Sequence, residues 1–258
     1  MSHTDLLSPE ISLIIPAHNE EQRLAATLAL YGHVFQEQFG PAFELLVVAN
    51  GCTDQTAQVA ADAAATLPQI RVIDIPDPIG KGGAVVAGFR QARGARVLFA
   101  DADAATTPAS LLDLLAQLEH ADIAIGSRRL SESVILQRQP LPRRIFGHLF
   151  AGTVRTLFGM PYRDTQCGAK ALRRAAAQRL ATVVTERRWA FDVELLLWAR
   201  ACNFSVIEHP VTWTDGAGSK LRITKTITEV VHSLWRLQRQ QAQLTPVSLR
   251  STLHEVPA

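Results

Sequence analysis

Over the first 126 positions, hydrophobic residues fall in short, nearly unbroken runs separated by longer Ala-rich stretches. The runs Ile11–Ile15, Glu44–Ala49, Arg71–Ile75, Arg96–Ala100 and Asp122–Gly126 are rich in β-branched and aliphatic residues. A short run that is apolar at almost every position reads as a strand buried on both faces. The intervening stretches Glu20–Gln38, Asp54–Leu67, Lys81–Arg93 and Pro108–His120 have helical length. Thr53/Asp54 and Thr107-Pro108 mark two of their starts, the latter as a cap followed by proline in the first turn. Strands alternating with helices predict an α/β domain, a mostly parallel sheet covered on both faces. Ligands of such sheets sit beyond the carboxyl ends of the strands, so the residues that follow each strand are the candidates for chemistry.

Beyond Gly126 the pattern changes. A Pro- and Arg-containing stretch, Gln137–Arg144, leads into a predicted helix to about Phe158. The loop Asp164-Thr165-Gln166-Cys167-Gly168 follows, then predicted helices over Lys170–Thr182 and Trp189–Asn203, a last strand Ser205–Trp213 and a long helix from about Leu221 to Gln240. The reading is one domain over residues 8–243, with 244–258 as a flexible tail. No apolar run approaches the roughly 18–20 residues needed to span a bilayer. Met1–Glu10 lacks a basic start followed by an apolar stretch, so neither a membrane span nor a secretory leader is expected. Cys52, Cys167 and Cys202 form no disulfide framework and no CxxC pair, which fits a reduced, cytoplasmic setting.

Composition changes this picture in one respect. The chain of 258 residues is 47% hydrophobic, which excludes a mainly disordered protein. Its net charge of +2 hides an asymmetry: residues 138–188 hold eleven Lys/Arg against Asp164 and Glu186, or +9, and the remainder carries −7. Such a segment points either to an anionic partner or to a solvated helix face.

The strand ends carry the chemistry. Pro16-Ala17-His18-Asn19-Glu20 follows the first strand, where proline is expected to stop the strand and Asn19 and Glu20 offer polar groups to a ligand or cap a helix. Asn50-Gly51-Cys52-Thr53-Asp54 follows the second, with glycine for a tight turn and Asp54 near a helix start. The fourth ends in Asp101-Ala102-Asp103, which strand alternation places on one side. Two such acids repel unless something positive lies between them, which a hard divalent cation shared with a diphosphate supplies; the alternative is a solvated turn with two capping acids. Gly80-Lys81-Gly82-Gly83 opens a helix whose N–H groups and lysine can face an anion. It is neither a nucleoside-triphosphate loop nor a GxGxxG fingerprint. Gly126-Ser127-Arg128-Arg129 puts guanidinium groups at the fifth strand end, and Gly216-Ala217-Gly218-Ser219-Lys220 is a further basic loop.

Taken in order, IPAHNE, NGCTD, GKGGAV, DADAAT, GSR, DTQCGAK, RWAFDVELL and GSKL resemble glycosyltransferase family 2 over about residues 10–225, nearest its dolichyl-phosphate β-glucosyltransferase and polyprenyl-phosphate mannose synthase branch. The resemblance implies a nucleotide-diphospho-sugar transferase fold, Rossmann-like, with C-terminal amphipathic helices. Residues 10–126 would be its nucleotide-sugar half and 127–243 its acceptor- and membrane-facing half. It implies inverting transfer of a hexose, UDP-glucose being favoured over GDP-mannose as donor, to a polyprenyl or dolichyl phosphate. Pro16, Asn19, Glu20, Asp54 and Lys81 would then serve the nucleotide sugar. Asp101 and Asp103 would hold Mg2+ or Mn2+. Arg128, Asp164, Gln166, Ser219 and Lys220 would meet the acceptor and its phosphate. Asn50 stands where the family often has Asp, and Ala104 and Ala169 replace more usual residues and are expected to reshape the sugar pocket.

A phosphate acceptor is already ionised, so its attack on the anomeric carbon needs the two anions held in line, their repulsion offset by Arg128 and Lys220, and the leaving diphosphate stabilised by a metal on Asp101/Asp103. A hydroxyl acceptor would need a general base, for which Asp164, Asp192 and Glu194 are candidates unless the last two pair with Arg187, Arg188 or other cations. Asp192 is accordingly counted with the catalytic residues.

A lipid acceptor requires contact with an anionic membrane surface, at the inner face of the plasma membrane, and no nucleic acid is expected. Ile223, Ile227, Val230, Val231, Leu234 and Leu237 form one stripe, for the headgroup layer or for the protein. Ile145, Phe146, Leu149, Phe150, Val154, Leu157 and Phe158, edged by Arg144, His148 and Arg155, form the better interfacial candidate. The competing readings are the same donor chemistry with a soluble or saccharide acceptor, a sugar nucleotidyltransferase, whose N-terminal glycine-rich loop is missing, and a non-catalytic module tethered to membranes.

Overall fold

The computed structural model describes residues 8–188, 190–215 and 232–239. Five expected strands are present as β1 (Ile11–Ala17), β2 (Phe43–Asn50), β3 (Ile70–Ile75), β4 (Arg96–Phe99) and β5 (Ile123–Ser127), joined by α1 (Leu24–Phe39), α2 (Thr56–Thr66), α3 (Gly80–Gln91) and α4 (Pro108–Ala116). All residues of β1, β2 and β5 are buried, as their unbroken hydrophobicity requires. The second half adds β6 (Val134–Gln137), α5 (Leu141–Phe158), β7 (Lys170–Arg173), α6 (Arg174–Val183), α7 (Phe191–Ala201), β8 (Val206–Pro210) and β9 (Thr212–Thr214).

The main sheet has seven strands in the order β3-β2-β1-β4-β7-β5-β8, and β6 pairs with β9 in a separate ribbon. One apolar cluster fills each face. Strand order reverses between β1 and β4, and the crevice at such a reversal is where open α/β sheets bind ligands. Residues Asn19–Glu20 and Asp101–Asp103 both lie there.

Several local expectations change. Proline does not stop β1: Pro16 stays in parallel register with Val48, while the β1–β4 ladder has already ended at Ile14 and Phe99. Pro16 shares the β4-facing parity of Ile14, so its missing N–H falls where no ladder bond is required. Lys170–Arg173, expected to start a helix, is the antiparallel strand β7, wedged between β4 and β5. The long-range ladder overrides local helix propensity here. The last strand is broken between Pro210 and Thr212, where the chain leaves the main sheet for β6. The N-cap position of α2 is Gln55, which makes no side-chain cap bond, and Asp54 one residue earlier accepts the first helical N–H, of Thr56; Thr107 caps α4, its side chain accepting the Ser110 N–H at 3.4 Å.

The expected helix over 221–240 lies mostly outside the described residues. Where it is described, at 232–239, Leu234 and Leu237 are buried in the core, and Arg236 pairs with Glu186. This part packs on the protein. Ser219, Lys220 and the tail lie outside the described residues.

Candidate active site

The loops after β1 and β2 are tied together by side-chain bonds to backbone. Asn19, held at φ 56°, accepts the Thr53 N–H at 2.8 Å. Asp54 accepts the Thr56 N–H and hydroxyl at 3.0 and 2.5 Å and the Glu21 N–H at 3.3 Å. Thr56 Oγ1 accepts the Glu20 N–H at 2.7 Å, and the Glu20 carboxylate pairs with Arg23. Asn50 is buried and donates to the Ala17 carbonyl at 3.0 Å, which a carboxylate in its place could not do.

Asp101 and Asp103 stand in the turn beyond β4, beside Ala104 in the left-handed region at φ 53°. The chain itself supplies positive charge to both: Lys81 Nζ is 2.6 Å from Asp101 Oδ1, and Arg23 is 3.9 Å from Asp103. Burial opposes the Lys81 charge, but Asp101 and then Asp192 outweigh it and hold the ammonium above the ordinary lysine range. Burial, then the Asp101 charge, raises Asp103 above the ordinary carboxylate range. Among the described residues no group of three or more His, Cys, Asp or Glu forms a ready cage. Two mutually repelling carboxylates nonetheless suit Mg2+ or Mn2+, which accept one or two carboxylates and complete their shell with phosphate oxygens and water. The residues therefore fit such an ion.

The glycines flanking Lys81 do not present an open cradle. The Gly82 N–H donates to the Arg187 carbonyl at 2.9 Å. A Cβ on Gly80 would lie 2.3 Å from that carbonyl, and one on Gly82 would lie 2.6 Å from the Glu186 carbonyl and from Phe191. Glycine here lets α3 pack against residues 186–188 and Phe191 and thereby sets the position of Lys81.

Arg128 and Asp164, each expected singly to meet the acceptor, are joined. Arg128 Nε and a terminal nitrogen donate to the two Asp164 oxygens at 2.7 and 2.9 Å, and the Arg128 N–H adds a third bond at 3.0 Å. Burial opposes the Asp164 charge, yet Arg128 holds it well below the carboxylate range. The Trp213 ring lies 5.4 Å from the guanidinium. Asp192 does pair with a cation, accepting from fully buried Lys170 at 2.6 Å, and Glu194 accepts the N–H groups of Thr185 and Glu186 at 2.9 and 2.5 Å. Lys170 escaped notice in the sequence, where KAL reads as helix; its only signal is a charge inside an apolar run. Ala169 is buried in the core and does not line the pocket.

A cavity of about 720 Å³ joins these groups. Lys81, Asp101 and Asp192 line it together with Arg128, Asp164, Thr165 and Gln166, and Arg138 with Arg143 and Arg144 of α5 form its outer rim. Arg129 fastens the strand end to this helix through the Gly147 carbonyl at 2.7 Å. The α5 stripe splits: Phe150, Val154 and Phe158 are buried, whereas Leu141, Ile145 and Leu149 are 52–67% exposed, next to Leu136 at 66%.

A doubly wound sheet with acids at its switch point and an adjoining cationic cavity is the architecture of a nucleotide-diphospho-sugar transferase fold. The sequence profile of glycosyl transferase family 2 matches residues 12–181, and the chain belongs to that family. It is 38% identical over 230 residues to the dolichyl-phosphate beta-glucosyltransferase of Drosophila melanogaster, covering 84% of this chain and 71% of that one. The Homo sapiens protein of the same name is 36% identical with the same coverage. In fold, the chain is similar to glucosyl-3-phosphoglycerate synthase from Mycobacterium tuberculosis, solved with Mn2+, UDP and phosphoglyceric acid, at a TM-score of 0.67 and 18% identity over 89% of this chain and 78% of that one. The protein is a glycosyltransferase, and among the described residues no helix is long and apolar enough to cross a membrane.

Proposed function

We propose that this glycosyltransferase moves a hexose, with inversion, from a nucleotide-diphospho-sugar to a polyprenyl or dolichyl phosphate, using UDP-glucose in preference to GDP-mannose. One observation carries the choice of acceptor. Each carboxylate that might serve as base for a hydroxyl is engaged: Asp164 by Arg128, Asp192 by Lys170 and Glu194 by backbone N–H groups. A phosphate needs no base. The cavity rim is rich in arginine, whose forked donors match phosphate oxygens and offset the repulsion between two anions brought into line.

In this reading the tied loops carrying Pro16, Asn19, Glu20 and Asp54 frame the nucleotide, and Asp101 and Asp103 lie at the diphosphate. A divalent ion there would supply Lewis-acid stabilisation of the leaving group. Lys81, relieved of Asp101, donates to the diphosphate. Arg128, kept charged and oriented by Asp164, faces the acceptor phosphate. Asp192 keeps the buried Lys170 neutralised and its own wall of the cavity in place. The names of the relatives support the acceptor and the glucosyl group.

A lipid acceptor leaves its chain in the bilayer, so the enzyme must rest on it. The exposed Leu141, Ile145 and Leu149 with the arginines beside them have the apolar and cationic character that binds an anionic surface from the cytoplasmic side. The test is purified protein with Mg2+ or Mn2+, UDP-glucose or GDP-mannose, and a short polyprenyl phosphate, with flotation on vesicles containing anionic lipid in parallel. A charged glycolipid formed chiefly from UDP-glucose is expected. Transfer only to a free sugar, or no flotation at low salt, would overturn the reading.

A further inference from the structure

The cavity wall between Asp101 and the Arg128–Asp164 pair carries polar atoms that the described chain leaves unpaired. Thr165 is 2% exposed and its Oγ1 has no hydrogen-bond partner, and the buried Nε2 of Gln166 has none either. Both residues line the cavity. Folding removes such groups from water at a cost, and unpaired ones in a binding cleft mark bonds reserved for a ligand. The segment is firmly held. Glu208 accepts the Arg163 and Asp164 N–H groups at 2.9 and 2.7 Å, and Asp164 accepts the Gln166 N–H at 3.3 Å. At its far end Gly168 lies so close to Asp101 that a Cβ would fall 1.9 Å from Oδ2. The unpaired groups are thus fixed in place with no further ordering required.

We propose that Thr165 and Gln166 are specificity-determining residues that read hydroxyl groups of the transferred hexose. This rests on the donor reading above and replaces, for Gln166, the acceptor contact implied by the family resemblance. A phosphate is matched by the charged guanidinium groups of the rim, whereas Thr165 and Gln166 are uncharged. A neutral hydroxyl suits them: it accepts from the Gln166 amide and exchanges a bond of either direction with the Thr165 hydroxyl. In-line displacement also requires the sugar to lie between leaving diphosphate and incoming phosphate, which is the span this segment crosses.

The experiment compares wild type with Thr165→Val and Gln166→Leu, which keep the shape and remove the polar atoms. Donors are UDP-glucose and its 2-, 3-, 4- and 6-deoxy analogues, with a short polyprenyl phosphate as acceptor. The expected result is a fall in kcat/KM for UDP-glucose of about ten- to a hundredfold in each variant. That loss disappears with the one deoxy donor lacking the hydroxyl each residue reads. UDP affinity and the KM for the polyprenyl phosphate stay at wild-type values, Thr165→Ser restores the discrimination, and Thr165→Val melts at or above the wild-type temperature because a methyl replaces an unpaired hydroxyl. Equal losses on every deoxy donor, a raised acceptor KM or unchanged kinetics would overturn the inference while leaving the donor reading intact. Wild-type protein that transfers sugar from no nucleotide donor would instead remove the donor reading and this inference with it. Gln166→Leu, at the less buried of the two positions, carries the test should Thr165→Val fold poorly.

Discussion

Two regions, the loops after β1 and β2 and the cavity beside α5 and β6, are built on different principles. Toward β1, β2 and β4, polar side chains bond mostly to backbone: Asn19 to Thr53, Asp54 to Thr56 and Glu21, Glu21 to Gln55. These bonds, most of them joining one loop to the other, fix the shape of both loops. Toward α5 and β6, charged side chains bond to each other or line the rim, and large apolar residues stay exposed. A compact ionic headgroup is recognised by loops already in place, where little conformational entropy remains to be lost. A long lipid chain is met by surface character, with few fixed contacts. The contrast explains why one region reads as motif and the other as composition.

The comparison is broken most severely at Asp103. Asp103→Ala should lower turnover at least about a thousandfold, the scale of removing a main electrostatic contributor to the transition state. It should leave the melting temperature unchanged or raised, since it relieves repulsion with Asp101; activity and thermal melts read the two effects.

Next is Asp164→Asn, which strands the buried Arg128 charge and should cost about 3–5 kcal/mol in urea unfolding. Because the folded carboxylate is held below its unfolded value, its contribution is fully present above pH about 4 and is lost as the pH falls through and below that range. The wild-type advantage over Asp164→Asn should therefore be constant from about pH 8 to 5 and shrink in more acidic buffer.

A smaller effect is expected at Gly82→Ala, whose Cβ meets the Glu186 carbonyl and Phe191 at 2.6 Å. About 1–3 kcal/mol of overpacking, with a raised KM for the donor as Lys81 shifts, separates this packing role from a purely anion-binding one. The smallest stability change belongs to Leu149→Asp, 67% exposed, at about 0.5 kcal/mol or less. It should weaken vesicle flotation and raise the KM for lipid acceptor without altering UDP affinity. Equal flotation would remove α5 from the membrane-facing side.

Much of the fold was legible because burial on both faces leaves a local mark. The β1–β5 runs and α1–α4 follow from patterns within a few residues, and the acids at 101 and 103 stand out because they follow an apolar run, although they lie in the turn beyond β4 and not in the strand whose alternation was expected to align them. Lys170 was not legible as a strand residue. Its place in β7 depends on ladders to both β4 and β5, neither adjacent in sequence. Phe150 and Leu149, both in the α5 stripe, read alike in the sequence. Only packing against the core separates the buried residue from the exposed one.

By itself the sequence determined the α/β alternation, the strand ends at which polar residues gather, and the excess of positive charge in the second half. Those features rest on residue type and short spacing. The tertiary structure decided which charges neutralise one another, bringing Arg128 to Asp164 across 36 positions and Lys170 to Asp192 across 22. It also decided which polar atoms were left for a substrate, Thr165 Oγ1 and Gln166 Nε2 among them. Pairing in a buried site depends on distance in space and on loss of water, and neither quantity is written in the order of residues along a chain.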